Sequence, residues 1–316
     1  MVAESRKRIL SAAELSDRLT RTFRGTSFID VESANRVVVN RVGEVVASEV
    51  SPFQRIDIFR TPHFGLVLAL DGITQVAELD EHFYHELLVH PACLLIPRRG
   101  SALILGGGDG CTARELLKYS EFTSIEMVEI DRTVIDLCRV YLSEINCGAL
   151  EDPRLKIIVA DGEAYLKAHP EKQYDLIFAD LTEPYDLSGL SGELSRHIFS
   201  RPFYEMLKRH MDPGAILVIQ TGAVTHLPDV DRHHRAIIEG LRDSFKMVST
   251  AYKYIHSFDA IWSITLASDQ QYGVTELQPD AALRELSISD LRYYDGISHQ
   301  AVFHPTPEVR DLFRDR

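Results

Sequence analysis

The spacing of apolar positions changes twice along the chain. Over residues 4–21, Leu10, Leu15 and Leu19 stand among charges, an amphipathic pattern that predicts a helix. From Arg36 to Glu78 the apolar residues fall into short β-branched runs: 37–39, 45–46, 56–59 and 66–68, with Asp71-Gly72 leading into 73–77. Asp-Gly between two alternating runs is a hairpin signal, so this stretch predicts a small antiparallel sheet. A helix is expected to begin near Asp80 and to end by Pro91. After it, apolar strands alternate with helical stretches, which predicts a parallel α/β arrangement. Strands are expected at 102–105, 124–129, 156–160, 175–180 and 215–221, then at 246–254 and 261–267.

The expected fold class is therefore α/β, a Rossmann-like, doubly wound sheet with a small N-terminal antiparallel β domain. The corresponding division is an N-terminal helical extension at 1–35, the β domain with its connecting helix at 36–91, and a catalytic domain at 92–316. The Ser/Gly-rich stretch 187–195 is expected to be a mobile loop. Four of the expected strands end in glycine or an acid, and open α/β sheets bind ligands at the carboxyl ends of their strands. These endings line one crevice.

The first strand runs into Gly106-Gly107-Gly108-Asp109-Gly110 ahead of a helix, the context of a nucleotide-binding loop. Glycine at Gly106 and Gly108 lets backbone approach a ligand. No Lys-Ser/Thr follows, and an acid within the loop would repel phosphate. About twenty residues on, Glu129 stands where a carboxylate accepts hydrogen bonds from ribose hydroxyls, the alternative being that Glu129 or Asp131 caps the next helix. Asp161-Gly162 after the third strand reads either as an adenine contact or as another N-cap. A nucleoside site without a phosphate site points to an S-adenosyl sulfonium rather than NAD.

Methyltransferases commonly hold the methionine ammonium with an acid two residues before the glycines; here that position is Ile104, and the acid is Asp109 inside the loop. One charge pair at about 4 Å and an effective dielectric near 20 is worth about 4 kcal/mol, so Asp109 attracts a bare ammonium and repels a carboxylate. That favours decarboxylated S-adenosylmethionine as a co-substrate, with no tightly bound cofactor.

The fourth strand ends in Asp180-Leu181-Thr182-Glu183-Pro184. An acceptor ammonium with a pKa of about 10.4 is almost wholly protonated at neutral pH, so nucleophilic attack needs a base. Asp180 is assigned that role, and Glu183 the holding of the cationic acceptor. Two carboxylates also suit a metal, but magnesium normally brings phosphates or more oxygen ligands, so no metal is assigned. On the connecting helix, Tyr84 and His85 are assigned substrate contacts; His82 and His85 lack the third ligand of a catalytic zinc site. Tyr252, Tyr254, Phe258 and Trp262 are either core or the wall of an acceptor channel, and His233-His234 a solvated helix face.

Composition narrows the picture. With 47 acidic against 34 basic residues and a net charge of −13, a nucleic-acid partner is not expected, and cationic substrates are suited. No apolar run is long enough to span a membrane, no apolar signal core precedes the first strand, and the four cysteines form no CxxC pair. A cytoplasmic location is expected.

These residues together resemble the polyamine aminopropyltransferases, the spermidine/spermine synthase family, from about Arg36 to the end of the chain. The resemblance rests on Phe53-Gln54; on Leu70 to Gln75 with Glu78, Asp80-Glu81 and Tyr84-His85-Glu86; on Leu103 to Gly110; and on Glu129 to Asp131, Asp161-Gly162 and Asp180 to Pro184. It implies a methyltransferase-type Rossmann domain and dimers or tetramers. It further implies that Gln54, Glu129, Asp161 and Gly162 bind the nucleoside, that His85 and Asp109 contact amine-bearing chains, and that Asp180 is the base. The implied reaction moves an aminopropyl group to a small polyamine and releases methylthioadenosine. Spermidine synthases usually have Asp in place of Glu183 and a Gly-Pro pair soon after it, where this chain has Asp186-Leu187. The stretch 255–262, with 266–269, is similar to thermospermine synthases and bacterial triamine or agmatine aminopropyltransferases, and His256 stands about where spermidine synthases place an acceptor-contacting tyrosine. The acceptor is thus spermidine ahead of putrescine. The competing readings are a methyltransferase using intact S-adenosylmethionine and a non-catalytic nucleoside or polyamine binder.

Overall fold

The computed structural model describes residues 26–33, 36–182, 198–224 and 228–311. The helix expected over 4–21, Glu183 and the stretch 187–195 lie outside the described residues.

The chain opens with a two-stranded antiparallel ladder, β1 (Ser27–Ser33) against β2 (Arg36–Arg41). Residues 27–33 were expected within a helical extension. They form a strand because β-branched Ile29 and Val31 alternate with Asp30 and Glu32, the period of an extended chain rather than of a helix. Phe28 packs on Phe59 with ring centroids 4.7 Å apart, which seats the ladder on the next sheet. That sheet is antiparallel, in the order β3 (Glu44–Val50), β4 (Arg55–Thr61), β5 (Gly65–Leu70), β6 (Ile73–Ala77). Asp71 and Gly72, at φ 49° and 81°, make the two-residue turn between β5 and β6 that their sequence predicts.

Helix α1 (Glu81–Leu95) follows and continues through Pro91, beyond the end expected for it. A proline inside a helix costs about 3 kcal/mol through its missing N–H and its ring. Here Leu87, Leu88, Val89, Ala92 and Cys93, on both sides of Pro91, are all at most 1% exposed, and their burial outweighs that cost.

The large sheet has seven strands in the order β12–β13–β11–β10–β7–β8–β9. Five neighbouring strands, β7 (Ser101–Gly106), β8 (Ser124–Glu129), β9 (Leu155–Val159), β10 (Tyr174–Asp180) and β11 (Met211–Val224), run parallel, with β9 at the edge. The last two, β12 (Met247–Ile255) and β13 (Ala260–Ser268), form an antiparallel hairpin at one edge. Alternate residues serve opposite faces. Ala102, Ile104, Met127, Phe178 and Val218 join a core that includes α1 and, from the small sheet, Ile56, Ile58 and Leu68. Leu103, Leu105, Ile177, Ala179 and Leu217 join a core under the helices of the other face. Both faces are covered, so the parallel strands read as continuous apolar runs. Four helices follow strand ends directly relevant to the site: α2 (Cys111–Leu117), α3 (Arg132–Tyr141), α4 (Gly162–Ala168) and, after the undescribed stretch, α5 (Arg201–Arg209). No helix among the described residues is long and apolar enough to cross a membrane.

Glu86 of α1 is 1% exposed, and its carboxylate accepts the backbone N–H groups of Arg292, Tyr293 and Tyr294 at 2.7 to 2.8 Å. It fixes the C-terminal segment to the helix at the junction of the two sheets.

Candidate active site

Strand β7 sits between β8 and β10, so its C-terminal glycines meet the acidic ends of both neighbours. Gly106 pairs with Asp180 in register, and a Cβ on Gly106 would stand 2.1 Å from the Asp180 carbonyl oxygen. Its φ of +80° excludes most other residues as well. The next amide, Gly107 N–H, donates to that same carbonyl at 3.1 Å. A Cβ on Gly108 would lie 3.0 Å from Glu129 Cγ, so the missing side chain lets Glu129 lie flat on the loop.

At the end of β8, Glu129 Oε1 accepts the backbone N–H of Asp131 at 2.9 Å. Burial, reinforced by the charges of Asp131 and Asp109 against its own backbone hydrogen bonds, pushes its carboxyl up to about 7. Asp131 caps α3 through Thr133 N–H at 3.0 Å, as one of the two sequence readings has it. Its other oxygen accepts Ser51 Oγ at 2.6 Å and Gln54 Nε2 at 3.1 Å, so Asp131 ties the small sheet to the large one beside the site. Asp161 likewise caps α4, accepting Ala164 N–H at 2.7 Å, and still lines the cavity with Gly162. The cap leaves its second oxygen for the cavity, because a carboxylate has two.

At the end of β10, Asp180 is clamped by two hydroxyls. Tyr84 donates to Oδ1 and Thr112 to Oδ2, each at 2.6 Å. Burial and the neighbouring Asp109 raise its pKa; His85 and the two hydroxyls pull the other way. Asp109 Oδ1 accepts Cys111 N–H at 2.8 Å and lies 3.6 Å from His85 Nε2. His85 Nδ1 lies 2.9 Å from Glu81 Oε2. Burial alone would lower the His85 pKa, but the Glu81 hydrogen bond and the charges of Asp109, Glu81 and Asp180 raise it overall.

These groups face one cavity of about 550 Å³. Gln54, Tyr84, His85, Gly106, Gly108, Asp109, Glu129, Asp161, Gly162 and Asp180 all line it. Phe258 and Trp262, with centroids 4.9 Å apart, form part of its wall. His256 does not join them. It is exposed at the tip of the β12–β13 hairpin, where its ring meets Tyr254 edge-on at 5.2 Å. The strand ends at Ile255, and the turn that follows, closed by Asp259 N–H on the His256 carbonyl at 3.2 Å, brings Phe258 rather than His256 to the cavity. Asp80 accepts Ser257 N–H at 2.8 Å and so pins this hairpin to the start of α1.

Two lining or supporting residues were not singled out in the sequence. Thr112 is one; its only signal is a hydroxyl in the first turn after the glycine loop. The other is Gln220 of β11, whose Nε2 donates to the Leu181 carbonyl at 2.6 Å and which holds the chain just past Asp180. Ligand atoms of His85, Asp109 and Asp180 lie within 4.8 Å of one another, a donor set that suits any compact cation, metal or ammonium. Both oxygens of Asp180 already accept hydroxyl donors.

Residues 81–276 match the spermine/spermidine synthase domain, and residues 28–78 the spermidine synthase tetramerisation domain. The chain belongs to the spermine/spermidine synthase family. A polyamine aminopropyltransferase of Saccharolobus solfataricus is 34% identical over 274 residues, covering 86% of this chain and 88% of its own. One from Aeropyrum pernix is 36% identical over 244 residues, covering 77% and 75%. Among solved structures, a spermidine synthase in complex with the transition-state analogue AdoDATO superposes with a TM-score of 0.79 at 28% identity, covering 92% of this chain and 95% of that one. The spermidine synthase from Thermotoga maritima gives 0.78 at the same identity. The fold found here is thus similar to that of solved spermidine synthases, a methyltransferase-like sheet with a small antiparallel β domain. The match to the tetramerisation domain begins at residue 28, within β1.

Proposed function

We propose that the cavity binds decarboxylated S-adenosylmethionine and a polyamine together, and that the enzyme transfers the aminopropyl group from the first to the second. The observation that carries this reading is Asp180, a half-buried carboxylate of raised pKa between Tyr84 and Thr112, in the same cavity as Glu129 and Asp109.

In this reading the nucleoside lies along Gln54, Glu129, Asp161 and Gly162, with the ribose hydroxyls donating to Glu129. The sulfonium then sits over the glycine loop, and the aminopropyl ammonium meets Asp109 and His85. The acceptor enters past Phe258 and Trp262. Its leading nitrogen gives up a proton to Asp180, attacks the carbon next to sulfur, and forms a C–N bond as the C–S bond breaks. The electron pair of that bond returns to sulfur, and methylthioadenosine leaves neutral. Tyr84 and Thr112 hold the carboxylate in line, and a carboxylate of raised pKa is a stronger base than an ordinary one.

A methyltransferase using the intact cofactor is disfavoured because Ile104 is fully buried in β7 and offers no carboxylate for a methionine ammonium. The aromatic wall of Phe258 and Trp262 extends the apolar lining of the cavity, and it supports a longer acceptor, spermidine ahead of putrescine. A homodimer or homotetramer is part of the proposal, supported by the matched tetramerisation domain. So is a cytoplasmic location, supported by four free cysteines.

The test is a mass-spectrometric assay with decarboxylated S-adenosylmethionine and a mixture of putrescine, cadaverine, agmatine, spermidine and norspermidine. Methylthioadenosine with one dominant mass-shifted amine is the expected result. Tight methylthioadenosine binding without any amine product would support a non-catalytic binder instead.

A further inference from the structure

Behind the amine end of the cavity, α1 carries a carboxylate that the transfer chemistry leaves unused. Glu81 is 5% exposed, and both its Oε2 and its backbone carbonyl lie 2.9 Å from His85 Nδ1. Both of these atoms are acceptors, so Nδ1 must carry the proton. From α2, Arg114 grips the same carboxylate with Nη1 on Oε1 at 3.0 Å and Nη2 on Oε2 at 2.8 Å. This bidentate pair neutralises Glu81 and fixes its plane, and with it the plane of the imidazole. Arg292 also approaches Oε1, at 3.8 Å, but is half exposed and adds little.

The consequence lies at the other ring nitrogen. His85 Nε2 faces Asp109 Oδ1 across 3.6 Å, longer than a hydrogen bond. One ammonium nitrogen about 2.9 Å from each can donate to both. The charged or titratable groups around the ring are Glu81 and Tyr84 from α1, Asp109 from the glycine loop, Cys111 and Arg114 from α2, and Asp180 from β10. In the free protein the acids favour an imidazolium, whereas a bound ammonium supplies that positive charge itself and leaves the ring neutral.

We propose that Glu81 is a positioning residue: it holds His85 with Nδ1–H inward and the Nε2 lone pair toward the cavity, so that Nε2 and Asp109 together accept one substrate ammonium. The inference rests on the aminopropyl-transfer reading. Glu81 contributes to the binding of amine-bearing substrates and not to that of the nucleoside.

The experiment compares wild type with Glu81→Met and with the double variant Glu81→Met/Arg114→Met, which leaves no stranded buried charge. Losing one charge-assisted hydrogen bond should raise the KM for the amine substrates about ten- to a hundredfold. Turnover should change by less than about threefold, and methylthioadenosine, which carries no amine, should bind as before. A folded double variant with unchanged amine KM, or one that loses methylthioadenosine affinity equally, overturns the proposal. Nitrogen-15 spectra of the wild-type protein with bound polyamine give a second reading: His85 protonated on Nδ1 alone supports it, and protonation on Nε2 overturns it. A wild type that binds polyamine but transfers nothing would sink the transfer reading, and the nitrogen spectra would still decide the role of Glu81.

Discussion

The phenol of Tyr84 reaches across the junction of the two sheets and donates to Asp180 at 2.6 Å. With Thr112 on the other oxygen, this carboxylate, the proposed base, is held from two helices at once. Asp180→Asn removes the proton acceptor but keeps the size, so turnover should fall by at least about a hundredfold with methylthioadenosine affinity retained. Steady-state kinetics beside calorimetric titration reads both, and an active variant removes Asp180 from the mechanism. Tyr84→Phe keeps the ring and loses only the donor. It should lower kcat by about tenfold, a smaller loss than that of the base itself.

Asp109 bears on the choice between cofactors. Asp109→Ala should narrow the preference for decarboxylated over intact S-adenosylmethionine by at least about tenfold, because the repulsion of a carboxylate goes with the attraction of the ammonium. Competition binding of the two compounds measures the ratio, and an unchanged ratio contradicts the charge argument.

With the carboxyl of Glu129 raised to about 7, the proposed nucleoside binding should depend on pH. Ribose hydroxyls donate more strongly to the ionised form, so methylthioadenosine should bind more tightly as pH rises from about 6 to about 8. Glu129→Gln should bind weakly and without that slope. Folding follows the opposite sign. A carboxyl raised in the folded state favours folding below its ordinary value of 4.5, and that contribution is lost as pH rises through about 7.

Gly106 is constrained twice, by its φ of +80° and by the Asp180 carbonyl 2.1 Å from where a Cβ would stand. Gly106→Ala should destabilise the protein by about 2 kcal/mol or more, seen as a lower Tm, and should lose turnover out of proportion because the clash falls on the residue that carries the base.

The large sheet is legible in the sequence because α1 and the helices of the opposite face cover both of its sides, leaving unbroken apolar runs such as Leu103-Ile104-Leu105. The glycine loop and the acids at Glu129, Asp161 and Asp180 are legible because strand ends are where such residues gather. Local signals fail where a distant contact decides. Pro91 signals a stop, yet packing carries the helix to Leu95. Thr112 becomes a partner of Asp180 only because β10 lies beside β7. His256 and Phe258 are two residues apart, and nothing in their sequence says which one the turn delivers to the cavity.

The hairpin carrying those two residues is held to α1 by Asp80 through the backbone amide of Ser257. Any amino acid but proline supplies that amide, so the grip is indifferent to the side chains at the tip. Size and charge at positions 256 and 258 are therefore open to change while the hairpin stays in place. The proposed base and nucleoside contacts sit on other elements and need not change with it. Within this architecture, descent with modification has a place to alter which amine is accepted without relearning the chemistry.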